Sequence, residues 1–367
     1  MKIYFFIWIF VIFSLNSYSQ DFYKFNDVRR IKSATVKNQQ RTGTCWCFAT
    51  TSFLESELLR KGYNIDLSEG YFVRQAYVLK AENFVFRQGK ISFSEGGLAH
   101  DVFKVFETFG AMPEQSYQGF HFRDSVQSDD EVTASLSNFL SNTLKNKLPL
   151  ISWENSFKDS LDVYLGKCPE SVEFEQKKMS PLEFAHELPI HCSDYVSLAS
   201  FSHHPFYNQF VLEIPDNSLN GIYLNLPLDD LMQVVDSALY KGYTIVWDGD
   251  TRRSSFLTRK GLAIMPVKAD IGNNYKIPVL EQSADMKSRQ QNFQTFHLQD
   301  IHLMHIVGNA LDAAGNKYYI IKNSYGEVGP YNGYLYMSES YFKSNTISIT
   351  LNKEGLPIKI KHMGNLL

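Results

Sequence analysis

Asn38-Gln39-Gln40-Arg41-Thr42-Gly43-Thr44-Cys45-Trp46-Cys47-Phe48 is the stretch on which the reading of this chain turns. From Trp46 to Lys61 the apolar positions Ala49, Phe53, Leu54 and Leu58 step by four, one and four, with Gly62 just beyond. That spacing predicts a helix closed by a glycine, and it puts Cys45 at or near the helix N-terminus. A thiol there feels the positive end of the helix dipole and unpaired backbone N–H groups, which favour its thiolate form. Gln39, six residues upstream, can swing its amide back as one donor of an oxyanion hole, beside the Cys45 N–H. Trp46 is placed to wall the site. A lone helical Cys is more often a small buried apolar residue; the surrounding pattern reverses that.

Outward from this helix, the chain reads as further helices over 68–82, 98–109, 129–145 and 179–187, separated by mixed polar linkers. After Tyr195 the texture changes. Short β-branched and aromatic runs at 210–214, 221–225, 243–247, 302–311, 317–323 and 333–337 predict a small, mostly antiparallel sheet, with a helix over 228–241 between the second and third runs. Helices first and strands last is an α+β order. No internal repeat or low-complexity tract interrupts it.

The chain has 367 residues, 44% hydrophobic and 20% charged, an ordinary globular composition. Lys plus Arg number 36 against 39 Asp plus Glu, which excludes a basic excess suited to nucleic acid or anionic lipid. The N-terminus has Lys2, an apolar run from Ile3 to Leu15 and small polar residues ending at Ser19. This is the pattern of a cleavable signal peptide over residues 1–19, predicting a secreted or periplasmic protein with no stable membrane association after cleavage. Four cysteines do not make a disulfide framework; if a bridge forms, Cys168 and Cys192 are the expected pair, since Cys45 and Cys47 close only a strained ring. His203-His204 are adjacent on a loop and lack carboxylate or Cys partners at metal spacing, so no metal and no cofactor is expected.

Gln-x5-Cys-Trp-x-Phe opening a helix resembles the active-site motif of papain superfamily cysteine peptidases. Downstream, His302-Leu303-Met304-His305-Ile306-Val307-Gly308 resembles that family's His strand, Asn323-Ser324-Tyr325-Gly326 its Asn-Ser-Trp-Gly segment, and Gly333-Tyr334-Leu335-Tyr336 the strand that follows. The resemblance implies a nucleophile Cys45, a proton carrier His302 and an orienting Asn323. His305 is a rival to His302, but a strand alternates faces, and the family's His-x-Met spacing selects His302. In Ser94-Glu95-Gly96-Gly97-Leu98 the glycine pair resembles the one that lets substrate backbone approach closely, so Gly96, Gly97 and Trp46 are the expected substrate contacts.

The long stretch between Cys45 and His302 exceeds a minimal papain-like domain. The segments Leu67-Ser68-Glu69, Ser202 to Tyr207, Gly221 to Asn225 and Trp247-Asp248-Gly249-Asp250 resemble the bleomycin hydrolase/aminopeptidase C branch, which carries such an insertion. The resemblance implies a papain-like two-lobed fold: a helical lobe with Cys45 over 20–120, a mostly helical insertion over 121–235, and an antiparallel β-barrel-like lobe with His302 and Asn323 over 236–350. A tail over 351–367 loosely resembles the one that lies along the cleft in that branch and restricts cleavage to free N-termini. Peptides are the implied partners, and the branch's ring assemblies imply a homo-oligomer. Departures are Tyr325 for Trp, Leu303 for Gly or Ala, Thr44 for Ser, Arg or Ala, and Cys47 for Ser. Two rivals stand beside the peptidase: a catalytically silent papain-like protein that grips peptides, and a thiol redox protein using Cys45 and Cys47, which lacks Cys-x-x-Cys spacing.

Overall fold

A computed structural model of the chain describes residues 23–119, 129–268 and 275–366. The expected signal peptide lies outside the described residues. Ten helices appear among them: α1 Cys45–Arg60, α2 Glu69–Phe86, α3 Ala99–Phe109, α4 Asp129–Asn146, α5 Leu150–Leu165, α6 Pro181–Glu187, α7 Leu228–Lys241, α8 Met286–Gln294, α9 Glu339–Asn345 and α10 Ile358–Met363. The strands are β1 Phe25–Arg30, β2 Val172–Phe174, β3 Lys177–Met179, β4 Tyr195–Ala199, β5 Gln209–Val211, β6 Ile222–Asn225, β7 Ile245–Gly249, β8 Phe256–Leu257, β9 Leu262–Ala263, β10 His302–Asp312, β11 Lys317–Lys322, β12 Tyr334–Ser338 and β13 Thr346–Asn352. Among the described residues no helix is long and apolar enough to cross a membrane.

Apart from the short β2–β3 hairpin, the strands form one eleven-stranded sheet. Its order is β5-β6-β4-β13-β7-β10-β11-β12-β9-β8, with β1 on β10. The sheet is larger than the small one expected, and mixed, because β4 pairs parallel to β6 and β9 to β12. The sequence reading leaves out β1, the short strands β2, β3, β8 and β9, and also the sheet strands β4 and β13. Of these, β4 and β13 lie inside the sheet, and Thr346-Ile347-Ser348-Ile349-Thr350-Leu351 carries the β-branched alternation of a strand. α5 lies where the sequence predicts a linker, although Trp153, Phe157, Leu161 and Leu165 recur every four residues and are all buried.

The middle of the sheet is covered on both faces, which is why β7 and β10 read as near-continuous apolar runs. Val246 and Leu303 pack with α1 in the core of the helical lobe. Trp247, Met304 and Ile306 pack with α7 and α10 on the other side. α1 is buried from Cys45 through Leu58, as expected of a helix enclosed by the domain rather than lying on its surface. The arrangement lays the start of α1 against the start of β10.

Candidate active site

Cys45 opens α1, and its Sγ accepts a hydrogen bond from the Leu303 N–H at 3.5 Å. His302 is the first residue of β10, and Asn323 follows the last residue of β11. Asn323 Oδ1 lies 2.8 Å from His302 Nε2, which leaves Nδ1 as the nitrogen available for proton exchange with the thiol. The Tyr325 ring stacks on the imidazole at 4.9 Å and 19°, so it covers the His–Asn pair as the usual Trp does by family expectation. Strand alternation separates the two histidines. His305 is turned onto α1, 2.9 Å from Ser52 Oγ and edge-on to Phe53.

Gln39 joins the two halves of the site. Its N–H donates to the Ser324 carbonyl at 2.8 Å, and its Oε1 accepts from Ser324 Oγ at 2.5 Å. Its amide Nε2 donates to the Thr42 carbonyl at 2.6 Å, closing the loop that delivers Cys45. Lys37 anchors the same loop from below through Glu69 at 2.9 Å and Glu55 at 3.3 Å.

Electrostatics in this closed conformation run against the thiolate that the helix N-terminus favours. Burial pushes the Cys45 thiol up to about 12; the Leu303 N–H opposes this, and Asp300 and Asp248 add to it. Burial also pushes His302 down to about 4, against the bond from Asn323. Burial therefore opposes both charged forms, the Cys45 thiolate and the His302 imidazolium. Asp248 stands opposite Leu303 in the β7–β10 register and accepts from Ser348 Oγ at 3.0 Å. Burial and the neighbouring Asp300 hold its carboxyl far above the ordinary range, and burial pushes Asp300 up to about 7. The two carboxyls interact and retain a proton between them near neutrality.

The first part of the chain, 24–176, matches the papain family cysteine protease model, and 169–365, more than half of the chain, matches the peptidase C1-like family. The chain belongs to the peptidase C1-like family. Its curated relatives within the family include aminopeptidase W of Lactobacillus delbrueckii subsp. lactis, 21% identical over 89% of this chain and 82% of that protein. Aminopeptidase C of Lactobacillus helveticus is 24% identical over 90% and 82%. Bleomycin hydrolase of Homo sapiens is 19% identical over 89% and 81%. In three dimensions the chain resembles PepW from Lactobacillus rhamnosis HN001, with a TM-score of 0.73 at 16% identity, covering 92% of this chain and 84% of that one. The fold is thus the α+β papain-like fold, and the branch is that of aminopeptidase C and bleomycin hydrolase.

The glycine pair of this family member is confined more tightly than its sequence shows. A Cβ on Gly97 would come within 2.6 Å of Asp101 Oδ2 and 2.9 Å of the Trp46 ring. Trp46 is 1% exposed, and its Nε1 donates to the Glu95 carbonyl at 3.0 Å, so it braces the glycine loop from behind. A Cβ on Gly96 would meet the Asp216 carboxylate at 2.1 Å. Asp216, Asp248 and Asp300 are the residues that sequence reasoning missed. Trp247-Asp248-Gly249-Asp250 stands in the sequence only as a segment resembling the branch, and nothing local marks Asp216 or Asp300.

Cys47 is fully buried, and its thiol donates to the Glu69 carbonyl at 3.4 Å. All four cysteines are free, with Cys168 and Cys192 hydrogen-bonded to the separate carbonyls of Pro169 and Phe103.

Proposed function

We propose that this chain is an exported thiol aminopeptidase of the aminopeptidase C/bleomycin hydrolase type. The observation that carries the reading is the His302–Asn323 bond assembled beside Cys45 at a helix start, in a chain of this family. Cys45 Sγ attacks the peptide carbonyl carbon while its proton passes to His302 Nδ1. The same proton then goes to the leaving amine, the C–N bond breaks and a thioester remains, which water hydrolyses with His302 again as base. Asn323 keeps the imidazole in the tautomer that exposes Nδ1. The Cys45 N–H and the Gln39 amide hold the oxyanion, the latter by exchanging its bond to the Thr42 carbonyl for one to the tetrahedral oxygen. Gly96 and Gly97 carry the substrate backbone.

Restriction to free N-termini is supported by the named activities of the relatives, and the tail is the segment of this chain that the family resemblance assigns to it. After β13 the chain turns through α10, and Leu366, the last described residue, lies on a groove of about 730 Å³ walled by α2 and α3 on one side and by β4 to β6 on the other. His100 lines the same groove, one residue from Asp101 and so next to the glycine loop. Export rests on Lys2 and the apolar run from Ile3 to Leu15, and self-assembly on the family resemblance alone.

Two experiments test this. An epoxide thiol inhibitor at neutral pH should modify Cys45 stoichiometrically and fail in His302→Ala; equal labelling of Cys47 would sink the peptidase reading. Cleavage of N-free but not N-blocked peptides, relaxed when the last residues are removed, supports the aminopeptidase; equal cleavage of both by the intact chain refutes it.

A further inference from the structure

The fold supplies the carboxylate whose absence from the sequence neighbourhood argued against a metal at His203-His204. Glu213 reaches both rings, with Oε2 3.2 Å from His203 Nε2 and Oε1 2.6 Å from His204 Nε2. One ligand atom from each of the three residues lies within 4.8 Å of the other two. Around a zinc ion with bonds of about 2.0–2.2 Å, tetrahedral ligand atoms stand roughly 3.3 Å apart. The His203 Nε2–Oε2 separation has that value; His204 meets the other oxygen, and rotation of the exposed Glu213 carboxylate brings one oxygen toward an ion shared by both rings.

The rings are also held from behind. Ser202 N–H fixes Gln290 Oε1 at 2.7 Å, and that oxygen lies 3.3 Å from His203 Nδ1. Gln290 Nε2 lies 3.0 Å from the same Nδ1, so the amide faces this ring nitrogen and leaves Nε2 turned toward Glu213, holding the ring in place as outer partners do at zinc histidines. His203 stacks near-parallel on Phe293 at 5.8 Å, and His204 rests on Phe210 at 4.5 Å. His203 and Glu213 line a pocket of about 360 Å³ shared with Phe293, Leu298 and Asp300, two residues before His302.

From this arrangement we propose that His203, His204 and Glu213 form a binding site for a divalent transition metal of the zinc class. Two imidazoles and one carboxylate make a three-ligand set that leaves the fourth position for water or an oxygen ligand from the pocket. This site is independent of the peptidase reading, since none of its ligands belongs to the Cys45–His302–Asn323 set.

The test is zinc binding by the full chain in a Cys45→Ser background, which removes the competing thiol beside His302. Titration against a chromophoric chelator, with metal content measured after dialysis, should give one zinc per chain. His204→Ala and Glu213→Gln should each weaken binding more than tenfold, and Gln290→Leu about tenfold. Cobalt in place of zinc should show the visible absorption of a tetrahedral site, lost in the same variants. Melting temperatures in chelator should match the parent and so exclude misfolding. Substoichiometric zinc, or affinity unchanged in both ligand variants, reduces the cluster to a His–Glu ion pair and overturns the proposal; peptidase activity does not enter either outcome.

Discussion

Asp300 and Asp248 act on Cys45 through charge. Negative charge beside a thiol disfavours the thiolate, so Asp300→Asn should lower the thiol's titration point and speed alkylation at pH 7 by about threefold to tenfold, read from the rate against pH. The same substitution has a signed effect on stability. Asp300 is raised from an ordinary 3.8 to about 7, so the folded chain keeps a proton that the unfolded chain has released. The stability this contributes is present at low pH and lost as pH rises through about 7. Asp300→Asn should therefore raise the melting temperature at pH 8, by about 1–3 kcal/mol of stability, and leave it nearly unchanged at pH 4. At the imidazole, Tyr325→Ala removes the stacked ring and should lower kcat about tenfold or more by loosening His302, whereas Tyr325→Trp should retain activity. Equal activity of the alanine variant would show that Asn323 alone suffices to orient the ring.

At the scale of elements, the site depends on where α1 and α2 begin. Ser68 caps α2: its Oγ accepts from the Tyr71 N–H at 2.9 Å and itself donates to the Tyr117 carbonyl. Ser68→Ala leaves both groups buried without that partner and should cost about 1–2 kcal/mol in denaturant unfolding. The cap was legible in Leu67-Ser68-Glu69, as were the start of α1 and the long apolar β10. β13 and α5 were legible too, in alternation and in four-residue spacing, and were lost among polar residues. Ser348 and Thr350 sit in a strand buried along its whole length, where Asp248 and Ser197 Oγ pair with their hydroxyls. Polar character reads as surface when the partners that satisfy it lie a hundred or more residues away.

Across the whole molecule, the cleft is where the helical lobe and the sheet lobe meet, and Asp216 occupies the open side of Gly96. Gly96→Ala should abolish most peptidase activity by forcing that carboxylate aside, and pairing it with Asp216→Gly should recover part of it in kcat/KM; additive losses in the double variant would disprove the contact. The sequence by itself determined the three catalytic residue types, their chain order, the helix that presents the thiol and the family to which they belong. Those properties are written in local spacing and in motifs that need no partner. Only the tertiary structure decided what surrounds Cys45. The carboxyl pair at Asp248 and Asp300, the closure over Gly96 and the joining of Glu213 to His203 and His204 all arise from segments that meet through sheet pairing and lobe packing. Electrostatic fields and metal geometry depend on distances through space, which the order of residues along a chain does not encode.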